Sequence, residues 1–176
     1  MTHQKRQPRT RYVAYAAVSI DGYISTDTSR MPDWTSGEDW KYFQTALAKA
    51  SAVVAGSRTY RVAQDHIDKR VAYVLTSKVI KPKVTGSVTF LNPRHTDIGT
   101  LCAEHKMVAI VGGSEAYRTM LDLGLFDELH LTIEPVILGG GKQLFAEGKL
   151  RTQFKLVSVK KLNPHGTIVL RYVRNK

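Results

Sequence analysis

Short apolar runs rich in valine, isoleucine and tyrosine recur along the chain, and helical patterns fall between several of them. Such runs stand near residues 12–18, 52–55, 71–76, 87–90, 107–111, 128–134, 154–160 and 166–173, each of strand length. The clearest helical pattern spans 38–50, where Trp40, Phe43, Leu47 and Ala50 share one face and Ser36 stands three residues before Asp39 as in a capping box. Others lie near 97–105 and 114–123. This alternation predicts an α/β fold with a mainly parallel sheet covered by helices on both faces. The last two runs flank Asn163-Pro164-His165-Gly166, a turn-rich link that predicts an antiparallel C-terminal hairpin.

Composition narrows the class. A chain of 176 residues with no repeat or Pro/Gly-rich linker reads as one domain over 12–176, preceded by a basic, disordered arm over 1–11. Cys102 is the only cysteine, so an intrachain disulfide is impossible and a reducing, cytoplasmic setting is expected. No stretch has signal-peptide or membrane-span character. The net charge of +11 comes from the ends, because residues 12–148 hold 14 bases against 15 acids. A broad nucleic-acid face is therefore not expected. The six histidines are scattered without metal-ligand spacing, so no metal site is expected.

In open α/β sheets, ligands bind beyond the carboxyl ends of the strands. Four such places carry hydroxyls, glycines and charges: Ser19-Ile20-Asp21-Gly22, Gly56-Ser57-Arg58-Thr59, Thr76-Ser77-Lys78, and Val111-Gly112-Gly113-Ser114. Glycines at a strand-to-helix turn let backbone N–H groups approach phosphate oxygens, and the helix start adds unpaired donors. Each place also has a plainer reading, as a turn, a helix cap or solvated charge. Gly139-Gly140-Gly141-Lys142 lacks the first glycine and the Ser/Thr of a P-loop, and there is no Gly-x-Ser-x-Gly elbow.

These positions resemble the dihydrofolate reductase superfamily, and within it the reductase domain of the bifunctional riboflavin-biosynthesis deaminase/reductase. Ser19-Ile-Asp21-Gly22-Tyr-Ile is similar to the S-x-D-G-x-I motif after the first strand. Gly56-Ser57-Arg58-Thr59-Tyr60 is similar to the G-R-x-T-[WY] segment, and Leu75-Thr76-Ser77 to the Leu-Ser-Ser turn. The stretch from Phe126-Asp127-Glu128-Leu129 through Pro135, Gly139-Gly-Gly141 and Leu144-Phe145 resembles the riboflavin-type D-E-L, P-x-x-L-G-x-G, L-F signature. The resemblance implies a dihydrofolate reductase-like three-layer αβα sandwich, a homodimer, and an NADPH-dependent reduction of a pterin-like or aminopyrimidine heterocycle, with NADH as the alternative cofactor. Dihydrofolate reduction and a non-catalytic nucleotide- or RNA-binding module are the other functional readings.

By the same resemblance, Val111, Gly112, Gly113, Ser114, Ala116 and Tyr117 would sit near the pyrophosphate and nicotinamide. Ser57, Arg58 and Thr59 would sit near phosphates, Thr76, Ser77 and Lys78 by the adenosine ribose and its 2′-phosphate, and Ser19 and Gly56 would complete the cofactor rim. Ser57 replaces the family's arginine and Glu115 an often basic position, leaving Arg58 and Lys78 for the 2′-phosphate. Asp39-Trp-Lys-Tyr-Phe43 is similar to the D-x-x-x-F segment that holds the substrate-binding acid. Asp39 is thus either a substrate acid with a raised pKa or a helix cap. Asp21 has two readings as well, substrate contact or loop turn.

Overall fold

The computed structural model describes residues 9–148 and 151–175. The expected arm lies outside them up to residue 8. Its end is not loose: Thr10 is buried with its hydroxyl donating to the Cys102 carbonyl, and Arg9 pairs with Asp127. Strand β1 begins at Arg11 (Arg11–Ser19), so the ordered domain starts before residue 12.

Among the described residues, eleven strands and five helices follow one another. After β1 come β2 (Tyr23–Ser25), α1 (Gly37–Leu47), β3 (Ala52–Gly56), α2 (Ser57–Val62), α3 (Gln64–Ile67), β4 (Ala72–Leu75), β5 (Lys83–Thr85), β6 (Val88–Leu91) and α4 (Ile98–Leu101). The rest comprises β7 (Met107–Ile110), α5 (Ser114–Asp122), β8 (Glu128–Glu134), β9 (Lys142–Gln143), β10 (Phe154–Lys161) and β11 (Ile168–Arg174). Nine strands form one sheet in the order β10-β11-β8-β1-β7-β3-β4-β6-β5, and β2 pairs with β9 apart from it. The centre is parallel from β8 to β6, while β11 runs antiparallel to β8 and β10 antiparallel to β11. The C-terminal hairpin therefore closes one edge as expected.

Alternation along the central strands divides the core in two. Tyr12, Ala14, Val54, Tyr73, Val108 and Ile110 pack on one face with α4 and α5. Val13, Tyr15, Val53, Val74 and Ala109 pack on the other with α1 and α3. Because successive side chains point to opposite faces, each apolar run serves both layers at once. Helix α4 is shorter than the 97–105 pattern: Asp97 caps its start through the Thr100 N–H, and Cys102 already leaves helical geometry. Burial pushes the Cys102 thiol pKa up to about 12, which makes it an inert core group.

The short strands β2, β5 and β9 were not legible as apolar runs, being two or three residues long. Gly141 explains how β9 meets β2. Its φ is +133°, and a Cβ there would lie 2.2 Å from the Ser25 carbonyl oxygen, so no side chain fits. No helix among the described residues is long and apolar enough to cross a membrane.

Candidate active site

One cleft of about 1650 Å³ runs along the carboxyl ends of the parallel strands and down to α1. Sites for a single small ligand usually span roughly 300–1,000 Å³, so this one has room for two ligands side by side.

The upper arm of the cleft is made by the turns after β3, β4, β6 and β7. Gly56, Ser57, Arg58, Thr59, Thr76, Ser77, Val111, Gly112, Gly113, Ser114, Ala116 and Tyr117 all border it. Strands β7, β3, β4 and β6 are consecutive in the sheet, which is why turns far apart in sequence converge. At the centre, the Gly56 N–H donates to the Gly112 carbonyl at 2.6 Å, and the Gly112–Gly113 peptide bond is cis. Gly112 has φ +112°, and a Cβ there would come within 3.3 Å of the Tyr117 hydroxyl. That hydroxyl is fixed by donating to the Tyr15 carbonyl at 2.6 Å. Helix α5 starts at Gly113 with no side-chain cap, so its first N–H groups remain available to an anion.

Three sequence-predicted residues stand elsewhere. Ser19 is buried, and its Oγ accepts the Tyr23 N–H, bracing the β1–β2 turn. The Asp21 carboxylate accepts the N–H groups of Leu138 and Gly139 at 3.1 and 2.7 Å, tying down the β8–β9 loop. A hydrogen bond from Ser19, and then those loop amides, hold its pKa below the ordinary carboxylate value. Lys78 does not border the cleft, nor do Ser19 and Asp21. The turn reading thus describes Asp21 better than substrate contact. Arg58 and Arg94, which follow β3 and β6, do border the cleft. Arg94 follows β6 in an Asn92 turn, with its N–H on the Asn92 side-chain oxygen at 3.1 Å. Sequence reasoning passed over it, although the same rule about strand ends reaches the residues after 87–90.

The lower arm is built by α1 against β8. Glu128, His130, Thr132 and Glu134 alternate with Leu129, Leu131 and Ile133, so the four polar groups share one face of β8. This face is not solvated: Glu128, Thr132 and Glu134 are only 3, 3 and 2 % exposed. Each polar group has a partner. Glu134 accepts the Ser36 N–H at 2.7 Å, the Ser36 hydroxyl at 2.8 Å and the Thr167 hydroxyl at 2.6 Å. Thr132 faces Asp39 and acts to lower the pKa of its carboxyl. His130 Nδ1 lies 2.5 Å from the Tyr42 hydroxyl, and its Nε2 lies 2.6 Å from Glu128.

Steps of three along the helix thus meet steps of two along the strand, about 4.5 Å against about 6.6 Å, making a ladder of Ser36–Glu134, Asp39–Thr132 and Tyr42–His130. A half-buried alternating strand normally turns its polar face to water, and the apolar reading of 128–134 left this row unnoticed. The signal was present nonetheless, since a strand near the middle of a doubly covered sheet has no wet face.

This ladder bears on the two readings of Asp39. Ser36 Oγ accepts the Asp39 N–H at 3.2 Å, which is one half of a capping box. The other half is absent, because the Ser36 N–H goes to Glu134. Asp39 therefore has no capping bond to make. Its carboxyl borders the cleft, and its pKa is raised, chiefly by burial and further by the nearby Glu134, against the lowering effect of Thr132. A carboxyl whose pKa is raised by burial in a cleft is suited to exchanging a proton with a bound ring.

Comparison with known proteins agrees with this architecture. Residues 101–168 match the RibD C-terminal domain family. The chain is 24% identical to the uncharacterized protein YyaP of Bacillus subtilis (strain 168), covering 91% of this chain and 92% of that one. A pyrimidine reductase-like protein from Corynebacterium diphtheriae superposes with a TM-score of 0.73 at 18% identity, covering 94% of this chain and 92% of that one. Dihydrofolate reductase from Enterococcus faecalis, solved with NADP(H), superposes with a TM-score of 0.66 at 21% identity, over 94% and 97% of the two chains. The chain thus has the fold of these reductase structures, and its residues 101–168 are similar to the RibD C-terminal domain family.

Proposed function

We propose that this protein is an NADPH-dependent reductase that transfers hydride to a pterin-like or aminopyrimidine heterocycle. The observation that carries the reading is the two-armed cleft, in which uncapped amides and hydroxyls line one arm and a half-buried carboxyl the other. The upper arm fits a dinucleotide: a Cβ at Gly112 would crowd the Tyr117 hydroxyl, and Ser57, Thr59 and the start of α5 supply donors for phosphate oxygens. Arg58 and Arg94 favour a 2′-phosphate and hence NADPH over NADH. When bound, the reduced nicotinamide supplies the hydride. Asp39 holds the substrate ring by its polar edge, and Tyr15, Trp40 and Phe43 line the apolar wall beside it.

Trp40 borders the cleft and is 36 % exposed, so NADPH binding is expected to quench its fluorescence. Saturable quenching, with NADPH oxidation in the presence of dihydrofolate or a ribosylamino-pyrimidinone, supports the reading; a flat titration up to millimolar NADPH overturns it. Gly112→Ala tests the cradle. The substitution forces a side chain to φ +112° against a fixed Tyr117 hydroxyl, a strain of about 1–3 kcal/mol. NADPH affinity is expected to fall by about tenfold or more, read from the same titration, and wild-type affinity would remove Gly112 from the phosphate site.

A further inference from the structure

The last rung of the ladder, Tyr42–His130, has no part in holding a ring against Asp39, yet both residues border the cleft. Behind them stands Glu128, whose side chain is 4 % exposed and clamped by Arg11 and Arg171. Burial works to raise the pKa of Glu128, but hydrogen bonds from His130, Arg171 and Arg11 prevail and hold it well below the carboxylate range. A permanent carboxylate at 2.6 Å fixes Nε2 of His130 as an N–H donor. Nδ1 is then the variable end. Bare, it accepts the Tyr42 hydroxyl; protonated, it donates to the Tyr42 oxygen and frees the phenolic hydrogen for a ligand.

We propose that Glu128, His130 and Tyr42 form a proton relay that protonates the substrate in this cleft, with Tyr42 as the catalytic donor and His130 and Glu128 as the groups that recharge and position it. The inference rests on the reductase reading above. A C=N bond whose carbon takes the hydride of the reduced nicotinamide needs a proton on nitrogen. The Tyr42 O–H bond breaks as the N–H bond forms, and Nδ1–H of the imidazolium replaces the proton on the Tyr42 oxygen. His130 is left neutral, with Nε2–H still on Glu128, and water returns its proton between turnovers.

The surroundings suit this task. Burial raises the Tyr42 pKa, which keeps the phenol protonated, while the charge of Arg171 acts in the opposite direction. From β1, the ring of Tyr15 packs 4.8 Å from the imidazole, and Arg11 faces Glu128. From β11, Arg171 stands opposite His130 in the strand register. Lys160 of β10 lies 5.8 Å from the Tyr42 ring centre, and Asp39 is one rung away on α1. The His130 ring thus sits among two carboxylates and three cations, with Glu128 in direct contact.

Tyr42→Phe and His130→Gln, each checked for unchanged circular dichroism, separate the relay from a structural bond. Wild-type turnover of NADPH is expected to fall tenfold per pH unit above the midpoint at which ¹⁵N NMR shows His130 losing its Nδ1 proton. Tyr42→Phe should lower kcat by about 10²-fold, abolish that dependence and leave NADPH affinity unchanged; His130→Gln should do the same. A His130 ring that keeps one protonation state from pH 5 to 9 overturns the relay without reference to turnover. Wild-type kcat with the same pH dependence in Tyr42→Phe overturns the relay alone, whereas a wild type that neither binds nor oxidises NADPH overturns the reductase reading and the relay with it.

Discussion

Asp39→Asn is expected to lower kcat/KM for the heterocycle by about 10²–10⁴-fold while the NADPH dissociation constant stays within a factor of two. The asparagine amide keeps the shape and polarity that face Thr132, so the loss reports the ionisable carboxyl that holds the ring. The same variant carries a stability signature of known sign. Burial is the main cause of the raised Asp39 pKa, so the folded state holds this proton at pH values where the unfolded chain has released it. Wild-type stability from this group is therefore greatest below the unfolded carboxylate value. It declines as pH rises towards the raised folded value. Asp39→Asn removes that decline, and denaturant midpoints are expected to show the variant gaining on wild type as the pH is brought from 4 to 7. Equal activity would deny Asp39 its chemical role, and a parallel pH–stability curve would deny the burial effect.

That double signature is what a group retained for chemistry looks like, since a carboxyl that weakens the fold at neutral pH is kept for some other purpose. It also shows which parts of the molecule could be read in advance. The alternation of strands and helices was legible because β3, β4 and β7 need apolar side chains on both faces, and Val53 or Ala109 is unambiguous whichever layer it enters. The upper arm of the cleft followed from the rule about strand ends, because Gly56, Thr76 and Gly112 sit where parallel strands stop. Lys78 broke the rule. Its sequence position is right, but nothing in one sequence says which side of a turn a long side chain leaves by. Asp21 was ambiguous for a similar reason, since the loop amides it binds lie 117 and 118 residues away. The lower arm was least legible: His130 and Tyr42 are 88 residues apart, and only the packing of α1 on β8 turns an ordinary helix face and an ordinary strand face into a ladder.

Glu134 is the residue on which that ladder hangs, and Glu134→Ala is expected to cost about 3–5 kcal/mol. Three donors lose their acceptor at once: the Ser36 amide, the Ser36 hydroxyl and the Thr167 hydroxyl. Thr167 cannot turn its hydrogen elsewhere without cost, because its oxygen already accepts the Asn163 amide at 2.9 Å. Each buried donor left unpaired costs about 1–3 kcal/mol, and partial relaxation towards water around Ser36 brings the total below the simple sum. For a chain of this size, each kcal/mol lowers the melting temperature by about 2–4 °C, so the midpoint should drop by roughly 10 °C. Glu134→Gln discriminates the cause: its single oxygen can serve Ser36 or Thr167 but not both, and its NH₂ opposes the remaining donor, so the loss should be nearly as large despite the preserved shape. A loss under about 1 kcal/mol in both variants would mean that α1 is seated by its apolar face alone. The functional consequence separates the two arms of the cleft. Glu134 touches α1 and the 163–167 turn, whereas the strand-end turns are held by Gly56, Gly112 and Tyr117. Below the melting transition, NADPH affinity should therefore survive in both variants while substrate KM rises, because the helix start that places Asp39 has lost its anchor to the sheet.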